Sequence, residues 1–103
     1  MSKPAPHRPH DDAVIEMLRD DPAFIEDYLA AALDEAEQPG GREALLLALR
    51  HVAEAQGMAK VARTAGVQRE SLYRALSPKG NPTIKTLLAV MQATGLKLGV
   101  HRG

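Results

Sequence analysis

Apolar residues along this chain of 103 residues recur at intervals of three and four, the spacing at which side chains share one face of a helix. The pattern predicts an all-α fold of five to six helices separated by glycine and proline. These helices cover about residues 12–19, 22–38, 42–56, 58–65, 69–76 and 84–94. The predicted buried stripes of the second and sixth helices are Phe24, Ile25, Tyr28, Leu29, Ala32, Leu33 and Ala36, and Ile84, Leu87, Leu88 and Met91.

Residues 61–76 have the spacing of a helix-turn-helix. Ala62 lies four residues before Gly66, where a larger side chain would force two crossing helices apart. Gly66 suits the positive φ that ends a helix. The pattern predicts four buried side chains, Val61, Val67, Leu72 and Leu76. The competing interpretation is a helical hairpin inside any small all-α domain, with its charged residues merely solvated.

The second helix of this run carries the candidate DNA contacts, because the recognition helix of a helix-turn-helix enters the major groove. Arginine there can bind guanine through two hydrogen bonds. The candidates for base contact are Gln68, Arg69, Glu70, Tyr73 and Arg74. The candidates for phosphate contact, on this helix and its flanks, are Lys60, Ser71, Lys79, Asn81, Thr83 and Lys85.

The last residues alternate between apolar and polar, which predicts a short C-terminal strand. Its apolar members are Leu96, Leu98 and Val100. A lone strand leaves its backbone hydrogen-bonding groups open. It therefore needs a partner, either the same strand of a second subunit in a homodimer or a strand of another protein.

The formal net charge is zero, but the two halves of the chain differ in sign. Residues 1–41 hold three basic and ten acidic residues, and residues 42–103 hold ten basic and three acidic residues. A basic half favours phosphate binding, whereas an acidic half is a better surface for a basic protein. Three prolines and little apolar content predict a disordered arm over 1–11. The charge division predicts an acidic helical extension over 12–40 and a DNA-binding domain with the C-terminal strand over 41–103.

The remaining composition argues against other classes of protein. Cysteine is absent, which excludes thiolate metal sites and fits a cytoplasmic location. No apolar run is long enough to span a membrane. His7 and His10 lack a third metal ligand, and His51 and His101 are isolated in the sequence. We therefore expect no metal, no cofactor and no enzymatic activity.

Several stretches resemble the Xre/Cro-type helix-turn-helix antitoxins known as addiction-module antidote proteins. They are LLALRHVAEAQG at 46–57, MAKVA at 58–62, SLYRALS at 71–77, GNPT at 80–83 and TLLAV at 86–90. LRDDP at 18–22 and YLAAAL at 28–33 resemble the leader of that family, so the likeness covers about residues 14–100. One departure is Gln68, where the family more often has serine, the better N-cap.

The resemblance implies a HigA-like type II antitoxin with a Cro/repressor-like fold. Such a protein would bind operator DNA as a dimer, repress its own operon and neutralise a basic toxin of the RelE/ParE/HigB type. The acidic extension supplies the candidate toxin contacts, Asp20, Asp21, Glu26, Asp27, Asp34 and Glu35. Two alternatives stay open, namely a prophage-type transcriptional regulator without a toxin partner, and a protein-interaction module that does not bind DNA.

Overall fold

The computed structural model describes residues 9–102, and for residues 9 and 10 only the backbone. It contains six helices, which confirms the all-α prediction. They are α1 (Pro9–Asp20), α2 (Pro22–Asp34), α3 (Gly41–Gln56), α4 (Met58–Ala65), α5 (Arg69–Ala75) and α6 (Ile84–Thr94). Residues 9–11 of the predicted arm are thus helical, while the rest of that arm and the side chains of His7 and His10 lie outside the described residues. No helix in the described part of the chain is long and apolar enough to cross a membrane.

Most helix ends follow the signals in the sequence, but α2 ends at Asp34 and not at the predicted residue 38. α2 has Pro22 at its first turn, and α3 ends at Gly57. α6 begins after Thr83, whose Oγ1 accepts a hydrogen bond from the Thr86 backbone N–H at 3.1 Å. This bond satisfies one of the N–H groups that the first turn of a helix leaves open, as an N-cap threonine should.

One hydrophobic core joins all six helices. Leu18 of α1 and Ile25 and Leu29 of α2 belong to the same buried cluster as Leu49 of α3 and Leu72 of α5. α3 lies at the centre and packs against α1, α2, α4 and α6. The predicted boundary at residues 40 and 41 therefore marks a change of charge, but the segments on its two sides share a core.

His51 ties the first two helices to α3 through polar contacts. It is only 3% exposed. Its Nδ1 lies 2.6 Å from the Tyr28 hydroxyl of α2, and its Nε2 lies 3.0 Å from Asp11 Oδ1 of α1. Burial, and then the negative charge of Asp11, raise the pKa of Tyr28. The sequence does not reveal this histidine's partners, because they lie 23 and 40 positions away along the chain.

Tyr28→Phe tests this polar contact, because it removes only the hydroxyl and leaves a buried His51 nitrogen without that partner. We expect the free energy of unfolding to fall by about 1–3 kcal/mol, measured by urea denaturation. Tyr73→Phe is the matched control, since it removes a hydroxyl whose acceptor, the Glu54 carboxylate, is half-exposed and can bind water. An equal fall in the free energy of unfolding in the two variants would contradict the larger cost that we expect at the buried His51 nitrogen.

The prediction of a C-terminal strand is wrong, since residues 96–102 form no strand within the described chain. Leu96 instead completes the end of α6. Its backbone N–H lies 3.2 Å from the Met91 carbonyl, with Gly95 at φ +80°, which is the geometry of a helix cap. Leu98 and Val100 are exposed, and no strand edge in the described residues pairs with them.

The periodic patterns also overstate burial at several positions. Val67, predicted to be buried, is 38% exposed because it lies in the turn and not on a helix face. Three residues of the predicted stripes, Leu33, Ile84 and Leu88, are exposed as well. Ile84 reaches 72% exposure at the start of α6. These apolar side chains are uncovered in the single chain.

Candidate nucleic-acid interface

The predicted helix-turn-helix run forms α4 and α5, separated by the three residues 66–68. Ala62 is buried at the point where the helices approach. Gly66 has φ +73°, and the backbone N–H of Val67 donates to the Ala62 carbonyl at 3.0 Å. Leu72, which is completely buried, fixes the inner side of α5 to the core. The opposite side of α5 therefore faces solvent.

The outer surface of α5 presents most of the predicted base contacts. Gln68, Arg69, Glu70 and Arg74 are exposed, and Gln68 occupies the N-cap position without a side-chain capping bond. Arg74 donates through Nη2 to Ser71 Oγ at 3.2 Å. Ser71, a predicted phosphate contact, is half-buried, and its hydroxyl already accepts this hydrogen bond from Arg74.

Tyr73 is the predicted base contact whose position differs most from the expectation. It is half-buried, and its hydroxyl donates to Glu54 Oε1 of α3 at 3.0 Å. The guanidinium carbons of Arg50 and Arg69 lie 6.0 and 5.8 Å from the centre of its ring. Burial and the Glu54 carboxylate raise the pKa of Tyr73, and the Arg69 charge opposes them. The side chain is thus engaged with α3.

The segment after α5 packs closely under that helix. Gly80 is buried, and a Cβ atom there would lie 2.1 Å from the Ala75 carbonyl oxygen, so this position excludes larger residues. Arg42 of α3 donates to the Gly80 carbonyl at 3.0 Å and to Asn81 Oδ1 at 3.4 Å. Sequence reasoning missed Arg42, which has no local signal because its partners are 38 and 39 residues away.

The other predicted phosphate contacts occupy the flanks of α5. Lys60, Lys79, Asn81, Thr83 and Lys85 are all exposed. Lys85 reaches back towards the turn, with its Nζ 3.0 Å from where a Cβ of Gly66 would stand. The Thr83 hydroxyl is already used in capping α6. The lysines and Arg69 and Arg74 together form a basic surface, which we call the basic face.

The acidic residues of the predicted toxin site are all exposed around α2, and we call them the acidic face. They are Asp20, Asp21, Glu26, Asp27, Asp34 and Glu35. Asp21 is the N-cap of α2 but makes no side-chain capping bond. Leu33, 44% exposed, lines a groove with Glu26 and Asp34 beneath the C-terminal segment. No cluster of metal-binding side chains occurs among the described residues.

The chain is therefore a small all-α protein with a basic face on α4 to α6 and an acidic face around α2. A family model described as "Probable addiction module antidote protein" matches residues 10–102, and the chain belongs to this family. It is 42% identical over 77 residues to a Haemophilus influenzae (strain Rd) protein described as "Uncharacterized protein". That match covers 75% of this chain and 79% of the relative. No solved structure matches the chain.

Proposed function

We propose that this antidote protein binds operator DNA through the basic face, represses the operon that encodes it, and neutralises a small basic toxin through the acidic face. Membership of the antidote family supports the toxin partner in general. The observation that carries the DNA-binding part is the orientation of α5. Its apolar side is buried in the core and its polar side, with Arg69 and Arg74, is exposed.

The DNA-binding part follows from the dimensions and chemistry of the basic face. A single exposed helix fits the major groove of B-DNA, and arginine can bind the edge of guanine through two hydrogen bonds. Lys60, Lys79 and Lys85 flank α5 and carry no ion pair within the described residues. They are suited to neutralise phosphates on either side of the groove, which fixes position without reading sequence.

Specific repression requires two copies of α5, because one such helix reads only a few base pairs. We infer a homodimer with its contact on the exposed apolar residues at the outer side of α6 and in the C-terminal segment. They are Ile84, Leu88, Leu98 and Val100. Leu96, predicted as a strand residue of the dimer, instead packs against the core of its own chain and closes the end of α6. A two-fold dimer would bind an inverted repeat.

The toxin-binding part rests on charge and on one apolar side chain. The six carboxylates of the acidic face have no basic partner within salt-bridge distance in the described chain. Leu33 gives this surface an exposed apolar centre. An apolar residue surrounded by charges is a common arrangement at protein interfaces, and RelE/ParE/HigB-type toxins are the class that the family resemblance suggests.

The function is tested by two experiments on one preparation. The first is a gel shift with the DNA that immediately precedes this gene. The second is copurification of the tagged chain with the product of the neighbouring gene. The proposal expects a specific shift and a stable complex. A complex without a shift would leave a protein-interaction module, and a shift without a complex would leave a transcriptional regulator.

Alanine variants of Arg74 and Lys79 distinguish a contact that reads a base from a contact that binds a phosphate. We expect Arg74→Ala to cost about 1–3 kcal/mol on operator DNA and to relax the preference at one base position. Lys79→Ala should weaken binding to every sequence alike and reduce the salt slope by about one unit. Fluorescence titrations across salt on operator and scrambled duplexes measure both effects. Equal losses on the two duplexes for Arg74→Ala would exclude a role in base reading.

A further inference from the structure

Tyr73 joins α5 to α3 through two contacts that no sequence pattern predicts, and it also lies against Arg69 of its own helix. Its hydroxyl donates to Glu54, and its ring lies near the guanidinium groups of Arg50 and Arg69. Arg50 and Glu54 are one helical turn apart on α3, and Arg69 and Tyr73 are one turn apart on α5. The four side chains therefore form a single cluster across the two helices, which we call the tyrosine cluster.

The position of Arg50 in this cluster is not explained by ion pairing. Asp11 and Glu43 line the same groove as Arg50. Among the described residues, neither carboxylate forms an ion pair with its guanidinium at salt-bridge distance, and Asp11 lies instead 3.0 Å from His51 Nε2. Arg50 lies instead over the Tyr73 ring. A cation–π contact uses none of the guanidinium N–H donors, so these stay available to another acceptor.

The cluster also brings two guanidinium groups close together, beside the Glu54 carboxylate. Both guanidinium carbons lie about 6 Å from one ring centre, so they are at most about 12 Å apart. The B-DNA backbone carries one phosphate per strand for about every 3.4 Å along the axis. Two arginines this close can therefore reach the same stretch of backbone, and phosphate matches the donor geometry of arginine.

We propose that Arg50 of α3 is a further DNA-phosphate contact, and that Tyr73, held by Glu54, positions Arg50 and Arg69 and does not read a base. The inference rests on the proposed DNA binding and extends the basic face from α5 to α3. Arg50 belongs to α3 and not to the proposed recognition helix, so we assign it to the DNA backbone and not to the base edges. Tyr73 acts through its two arginine neighbours.

Salt-dependent binding of Arg50 variants tests the phosphate contact. The probes are a duplex selected by the wild-type protein from a random library and a scrambled duplex of the same composition. Arg50→Gln should lower affinity by the same factor on both, and its salt slope should be shallower by about 0.9. Arg50→Lys keeps the charge and should retain most of the slope. Arg102→Gln, a charge change in the exposed C-terminal segment, should leave the slope at the wild-type value.

Tyr73→Leu tests the positioning role, because it removes the ring and the hydroxyl but keeps a good helix former. Affinity should fall on both duplexes, and Tyr73→Leu should lose no base preference that Arg69→Gln does not also lose. Loss of a preference that Arg69→Gln retains would show that Tyr73 itself reads a base and would overturn its assignment. An Arg50→Gln slope equal to that of Arg102→Gln would overturn the phosphate contact. Failure of the wild-type protein to bind either duplex would instead refute the proposed function itself.

Discussion

Leu18→Ala is expected to lower the free energy of unfolding by about 2–5 kcal/mol, the cost of removing a large buried aliphatic side chain. Leu18 belongs to α1, the first part of the acidic extension, yet it is fully buried in the common core. The loss would be a large fraction of the stability of a domain of this size. Urea denaturation followed by circular dichroism measures it.

Met17→Ala is the control for this prediction. Met17 precedes Leu18 on the same helix but is 49% exposed, so its replacement should change stability by no more than about 0.5 kcal/mol. Small and equal effects in the two variants would mean that α1 is dispensable to the core.

The burial of Leu18 also limits what a truncated protein can show. Deleting residues 1–40 would remove Leu18, Ile25 and Leu29 from the core, so truncation cannot separate the two activities.

The second large effect is expected on the acidic face. A variant with Glu26→Lys, Asp27→Lys and Asp34→Lys should fail to copurify with a basic toxin and should fail to rescue growth of cells that express it. All three positions are exposed on α2. Like charges brought together in an interface cost several kcal/mol, so toxin affinity should fall by at least about 100-fold.

The matched control reverses charge on other helices. Glu16→Lys combined with Glu43→Lys changes exposed residues of α1 and α3 and should leave neutralisation intact. DNA binding of the triple variant, measured in parallel, shows that its fold is preserved. Growth rescue by the triple variant equal to that of the wild-type protein would contradict the toxin site on α2.

The sequence predicted the local features of the fold well. Glycine correctly predicted the ends of α3, α4 and α6, but Pro39 did not mark the end of α2, which lies at Asp34. The Ala62 and Gly66 spacing correctly gave two short helices with a three-residue turn. These features depend on residues within one helical turn of each other. One amino-acid sequence is enough to reveal these features, because periodicity and capping are local properties.

The features that the sequence did not reveal depend on distant partners. His51 is isolated in the sequence, but Tyr28 and Asp11 reach it from two other helices. The face that Tyr73 shares with Arg69 and Arg74 predicts a base contact, but Glu54 holds Tyr73 towards α3. The alternation of residues 96–101 predicted a strand, although pairing needs a neighbouring strand edge that the described chain does not provide.

The central claim is that the exposed side of α5 reads DNA as part of a dimer. Selection of bound sequences from a random duplex library by the wild-type protein, followed by footprinting of the enriched sequence, tests it most directly. We predict an inverted repeat with half-site centres about 34 Å apart, and loss of one preferred base in each half-site when selection is repeated with Arg74→Ala. No enriched sequence, or an enriched sequence that Arg74→Ala selects equally well, would contradict the claim.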